Sequence, residues 1–207
     1  MVREKLLGDE DMLEYEKKVL VTEDEYIAII NMMCKDSLPK RQINYYFDTD
    51  DLSMNRRGIT CRIREKNGLF QTTIKKHNVQ NPECSVEENL AVETTLNSAV
   101  FEKMGLTCQG ELITGRTTVY KDSFCEVVID CNAYLGYTDY ELEIEYGRIS
   151  SCYAYAILEN IANMLVVARI LTDKKEFLGR VGCGGNKSQR FFERKMKEEV
   201  SNAIGIK

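Results

Sequence analysis

Between Tyr140 and Tyr146 the chain alternates charged and apolar residues one by one. Glu141, Glu143 and Glu145 fall on one side of such a segment and Leu142 and Ile144 on the other, because successive side chains of a strand point to opposite faces. Glu14, Glu16 and Lys18 repeat the device ahead of Val19-Leu-Val21, which ends the first predicted strand. Thr22 then caps a helix, with Glu25 completing a capping box and Tyr26, Ile29, Ile30 and Met33 recurring at helical spacing. Gln42–Asp48 predicts a strand that ends in a turn over residues 48–51. Gly58–Lys76 predicts a hairpin about Asn67-Gly68, a pair suited to a type I′ turn. A two-residue loop sets Lys66 opposite Leu69, Arg64 opposite Gln71, Arg62 opposite Thr73 and Thr60 opposite Lys75. Arg62, Arg64, Thr73 and Lys75 then share a face, and Cys61, Ile63, Phe70, Thr72 and Ile74 form the other. A slip of one residue would scatter the set.

Further strands are predicted at Ser85–Val92, across Thr107–Lys121 as one strand or two, and in a hairpin of Phe124–Cys131 with Thr138–Tyr146. Helices are predicted at Asn97–Met104, closed by Gly105, and after Ser150 or Ser151 with the stripe Tyr153, Ile157, Ile161 and Leu165. Gly179–Asn186 predicts a glycine-rich loop and Ser188–Ile204 an amphipathic helix. Roughly eight antiparallel strands with few helices close into a barrel, an α+β fold with its helices packed outside. If the helices cover the apolar faces, the charged faces line the lumen.

Composition narrows the function. The 207 residues, 43% apolar, support one sizeable core, and the chain is read as one domain over residues 1–207. Residues 1–11 precede the natural start at Met12-Leu-Glu and are expected to be either a flexible extension or a misassigned start. No run of ~18 apolar residues predicts a membrane span. The N-terminus lacks a hydrophobic signal region, which predicts a cytoplasmic protein. Eight cysteines without a C-x-x-C pair, and His77 as the single histidine, give no zinc set. His77, beside Lys75 and Lys76, is read as incidental. A net charge of −5 without a basic-aromatic stripe argues against a nucleic-acid partner. Cations gathered in one place would still bind a smaller polyanion. A homodimer stays open.

The candidate lumen acids are Glu14, Glu16, Glu87, Asp130, Glu141, Glu143 and Glu145; the bases are Lys18, Arg62, Arg64, Lys75, Arg116 and Lys187. Glu88 competes with Glu87 for the inward position. Carboxylates at alternate strand positions stand ~6–7 Å apart and repel one another unless a cation sits between them. Mg²⁺ and Mn²⁺ prefer such oxygen ligands and let substrate phosphate complete the shell. Arg and Lys suit phosphate oxygens. Together they form the kit of metal-assisted phosphoryl transfer, without a Walker-type phosphate loop. As mere cross-strand pairs these charges would contribute ~0.2–1 kcal/mol each, a poor reason to confine so many.

In this order the motifs resemble the CYTH domain, or triphosphate tunnel metalloenzyme, family. Glu14, Glu16 and Lys18 match its E-x-E-x-K signature, Tyr46-Phe-Asp-Thr49 with Asp51-Leu52 its Y-F-D-T-x-D-L segment, and Arg62 and Arg64 its R-x-R strand. Thr73-Ile-Lys75 is similar to its T-x-K strand, Ile129-Asp130 and Tyr140–Glu145 to its acidic hairpin, and Lys187-Ser188 to the K-S before its last helix; Gln189-Arg190 departs from the usual Lys-Tyr. The resemblance covers residues 13–194. It implies a tunnel open at both ends that binds a triphosphate-containing small molecule with Mg²⁺ or Mn²⁺. Lys18, Arg62, Arg64, Lys75, Arg116 and Lys187 would grip phosphate. Glu14, Glu16, Glu141, Glu143 and Glu145 would hold metal, and Glu14, Glu16 and Lys18 would serve catalysis, with Thr73, Glu87 and Asp130 in support. The implied activity is triphosphate hydrolysis; a class IV type adenylate cyclase and a non-catalytic polyphosphate- or nucleotide-binding protein are the alternatives.

Overall fold

The computed structural model describes residues 13–34, 37–78, 80–147 and 150–204; the expected extension at 1–11 lies outside them. Eight strands form: β1 (Leu13–Val21), β2 (Lys40–Asp48), β3 (Ile59–Lys66), β4 (Leu69–His77), β5 (Cys84–Glu93), β6 (Thr107–Lys121), β7 (Cys125–Tyr134) and β8 (Tyr137–Tyr146). They close into an antiparallel barrel in the order β1-β5-β4-β3-β2-β6-β7-β8. Among the described residues six helices accompany it: α1 (Glu23–Met33), α2 (Ser53–Arg56), α3 (Ala99–Lys103), α4 (Ser151–Val167), α5 (Lys174–Leu178) and α6 (Lys187–Ile204).

The β3–β4 hairpin has the register that its turn predicts, Arg62 opposite Thr73 and Thr60 opposite Lys75. Asn67 and Gly68 both take positive φ, 55° and 77°, as a type I′ turn requires. The β7–β8 strands run further than predicted. Their turn is only Leu135-Gly136, with φ of 47° and 65°. A leucine is a poor residue for the left-handed region. Its side chain packs against the cluster of Tyr134 and Phe191, so tertiary burial overrides local preference.

The outer faces of β1, β7 and β8 supply Val19, Val127, Ile129, Leu142 and Ile144 to the main core. Helix α1 adds Ile29 and is capped by Thr22, which exchanges both capping-box bonds with Glu25. Helix α4 adds Ala154, Leu158, Ile161 and Leu165. Its buried stripe is rotated from the predicted one: Tyr153 is exposed, and its hydroxyl donates to Asp122 at 2.8 Å. Burying each large aliphatic contributes about 1.5–3 kcal/mol, so this layer fixes which strand faces turn inward. Among the described residues, no helix is long and apolar enough to cross a membrane.

The two ends of the barrel are unequal. Tyr46, Leu112 and Tyr134 belong to the inward faces of β2, β6 and β7, yet they pack with Phe191 and Phe192 of α6. Helix α6 therefore lies across one end. Gly110, with φ of 139°, makes room for it: a Cβ there would stand 2.9 Å from the Phe191 ring. The opposite end is open. A second opening is lateral, because β1 pairs with β5 only from Leu13 to Tyr15. Beyond that seam Lys18, His77 and Gly182 help to line a cavity of about 280 Å³.

Candidate functional site

Strand alternation sends Glu14, Glu16 and Lys18 of β1, Arg62 and Arg64 of β3, and Lys75 of β4 into one chamber with Glu87, Arg116, Glu143 and Glu145. The start of α6 inserts Lys187 among them. On β5 it is Glu87 that turns inward, accepting from Arg62 at 2.7 Å, while Glu88 is exposed. Thr73 accepts from Arg62 Nε at 3.1 Å.

Asp130, Glu141 and Glu143 meet on the β7–β8 wall, each at most 4% exposed. Their carboxylate oxygens lie within 4.8 Å of one another. Three like charges in so small a space need cations. Lys187 Nζ stands 2.9 Å from Asp130, 2.5 Å from Glu141 and 2.7 Å from Glu143. Arg116 grips Asp130 through Nε at 2.9 Å and a terminal nitrogen at 2.7 Å, and also reaches Glu143. Lys18 lies 3.0 Å from Glu16 and 3.5 Å from Glu143, and Lys75 lies 2.7 Å from Glu14 and 3.3 Å from Glu16.

These pairs set the ionisation. Burial alone would raise Glu16, but Lys18 and Lys75 outweigh it and hold the carboxyl at about 2. Burial likewise opposes charge on Glu143, and Lys187, Arg116 and Lys18 overcome it and push the group well below the carboxylate range. Lys18, Lys187 and Arg116 are raised by the same carboxylates against their own desolvation. At the rim, partial burial and then the Glu143 charge raise Glu145.

Arg64 stands apart. Its Nε donates to the Asn44 amide oxygen at 2.9 Å, and among the described residues it has no carboxylate partner. Burial, then Arg62 and Arg116, pull it down to about 10. A guanidinium so placed is suited to an anion that enters the chamber.

The structure gathers Glu141, Glu143 and Asp130 as a hard-oxygen donor set, which fits a Mg²⁺ or Mn²⁺ ion. It does not add Glu14 or Glu145 to that group; their side chains are 47% and 52% exposed at the open rim. Glu16 faces the group from β1, held by two lysines.

Three residues escaped sequence reasoning: Arg190, Asp139 and His77. Arg190 donates to Asp139 at 2.9 Å and to Glu141 at 3.0 Å, with all three buried. It also donates to the Gly185 carbonyl at 3.0 Å, which ties the glycine-rich loop to the acidic wall. The signals were present: Asp139 extends the i, i+2 row of β8, and Arg190 is one helical turn from Lys187. His77 also borders both the chamber and the lateral cavity. Burial, then Lys75 and Lys18, lower its imidazole to about 4.

Known proteins resemble this chain in sequence and in fold. The CYTH domain profile matches residues 12–156. "Putative triphosphatase YjbK" of Bacillus subtilis (strain 168) is 27% identical over 149 residues, covering 64% of this chain and 77% of that protein. The crystal structure of a Bacillus halodurans protein, described as a putative adenylate cyclase, superposes with a TM-score of 0.58 at 25% identity, covering 86% of this chain and 97% of the other. HpAC1 of Hippeastrum, for which a dominant triphosphatase activity is described, superposes with a TM-score of 0.52 at 16% identity, over 73% of this chain and 86% of its own. That last likeness is one of fold.

Proposed function

This chain belongs to the CYTH family, and from that premise we propose that it is a metal-dependent triphosphatase. Its substrate class is inorganic tripolyphosphate or a nucleoside or thiamine triphosphate. The observation that carries this reading is Arg64, a half-buried guanidinium beside Arg62 and Arg116 with only an amide for a partner among the described residues. A phosphate chain would supply the anion that suits it. Arg62, Lys75, Lys18 and Lys187 are placed to exchange part of their carboxylate contacts for phosphate oxygens, and Arg116 offers a planar fork suited to bidentate contact.

Asp130, Glu141 and Glu143 would hold the metal, assisted by Glu16 from across the chamber. The bound ion would polarise phosphoryl oxygens and lower the pKa of a water. The protein's own part is to fix the phosphates in line and to stabilise developing charge with cations already in place. The similarity to YjbK favours hydrolysis.

The test is product analysis with tripolyphosphate, ATP and thiamine triphosphate, each with Mg²⁺, Mn²⁺ or a chelator. Metal-dependent phosphate release is the expected result. Cyclic AMP and pyrophosphate from ATP would make the protein a cyclase instead. Tight binding without turnover would make it a binding protein. Glu143→Gln should lower kcat by about 10²-fold or more while the barrel stays folded; unchanged kcat would overturn the assignment of the acidic wall.

A further inference from the structure

At the open end, strand alternation continues beyond Arg64. Lys66 is the next inward position of β3, and Lys40 of β2 stands opposite Arg116 of β6. Together with Gln42, Gln71 and Asn89 they line a cavity of about 320 Å³ at the mouth. Four carboxylates share that mouth, and each already has a cation. Glu14 is 2.7 Å from Lys75, Glu87 2.7 Å from Arg62, Glu126 2.6 Å from Lys121 and Glu145 3.5 Å from Arg116. Among the described residues, Lys40, Arg64 and Lys66 have no such partner. Among the described residues, these three are therefore the cations of the mouth that no carboxylate holds, and they remain available to an anion.

The cations also continue a line. Arg62, Arg64 and Lys66 occupy alternate positions of one strand, so they span ~13 Å from mid-chamber to the lip. Among the described residues, no aromatic side chain lines this end, so they offer no stacking face to a base.

We propose that the mouth formed by Lys40, Lys66 and Arg64 is a further phosphate station, and that the chain accepts linear polyphosphates longer than three phosphates. The fourth phosphate would lie between Lys40 and Lys66, with Gln42 and Gln71 as donors beside it. This rests on the triphosphatase reading of the chamber and extends it outward.

Calorimetric titration with linear tripolyphosphate and linear tetrapolyphosphate tests it, with Mg²⁺ present and salt held at a physiological level. The unaltered chain should bind tetrapolyphosphate at least about fivefold tighter than tripolyphosphate. Lys40→Ala with Lys66→Ala should bring that ratio close to one. Both side chains are exposed, so the fold should survive. Lys174→Ala with Lys175→Ala on α5 removes the same charge outside the barrel and should leave the ratio intact. Equal affinity for the two anions in the unaltered chain would overturn the proposal, as would an equal fall in ratio with the α5 pair. If neither anion binds, the triphosphatase reading itself fails, which is a different outcome from a chain that binds both alike.

Discussion

Arg190 satisfies two buried carboxylates at once, so its removal should be costly. Arg190→Met is expected to destabilise the protein by about 3–5 kcal/mol, because Asp139 loses its cation where water cannot replace it. Adding Asp139→Asn should recover part of that loss in urea unfolding; no recovery would mean that the guanidinium acts through packing alone. His77 offers a cleaner readout, since it is the single histidine. Its imidazole should titrate near 4 rather than 6.5 by NMR; an ordinary midpoint would show the ring to be solvated. Single residues were unevenly legible in the sequence. Glu16, Lys18, Arg62 and Glu143 announce themselves because a charged row back to back with an aliphatic row marks a strand with one face in the core and the other lined with charge. Asp139 did not, although it lies inside the predicted strand Thr138–Tyr146, because Tyr140 rather than an aliphatic residue separates it from Glu141 and the charged-aliphatic alternation starts only there.

At the scale of elements, Asn67-Gly68 fixed the β3–β4 register because only a few residue pairs favour two successive positive φ values. Leu135-Gly136 carried no such signal; its turn is held by packing against α6, a contact between residues far apart in the chain. The same distance hid the position of α6. Its amphipathic pattern was readable, but nothing local says that Phe191 covers Gly110. That contact makes a prediction. Gly110→Ala should cost about 1–3 kcal/mol, because a Cβ would press on the Phe191 ring and the backbone there sits at φ 139°. It should also loosen the seat of α6, which proteolysis at the C-terminal end would report; an unchanged melting point would show that the helix is not held there.

For the whole molecule, the charged chamber couples stability to its contents and to pH. Tripolyphosphate with Mg²⁺ at about 100 times its Kd should add about 2.7 kcal/mol, roughly 5–10 °C in Tm for a chain of this length. No shift would argue against anion binding altogether. In acid, two losses should be separable. His77 stays neutral in the fold while the unfolded chain takes up a proton below 6.5, so its contribution fades between pH 6.5 and about 4. Glu16 stays ionised to about 2, so its contribution is complete above 4.5 and fades from there downward. Stability measured from pH 8 to 3 should therefore fall in two stages; a flat profile would contradict both assignments. The closure of the barrel has a further consequence, in the order of synthesis. Seven of the nine residues of β1 find their main ladder partner in β8, from Tyr15 opposite Tyr146 to Val21 opposite Tyr140. At ribosomal speeds that partner emerges roughly 6–25 s after β1 does. Until then β1 is an unpaired edge whose valines invite strangers. Its alternating glutamates and lysine act as gatekeepers against such pairing, so the row that later faces the chamber first guards the nascent chain.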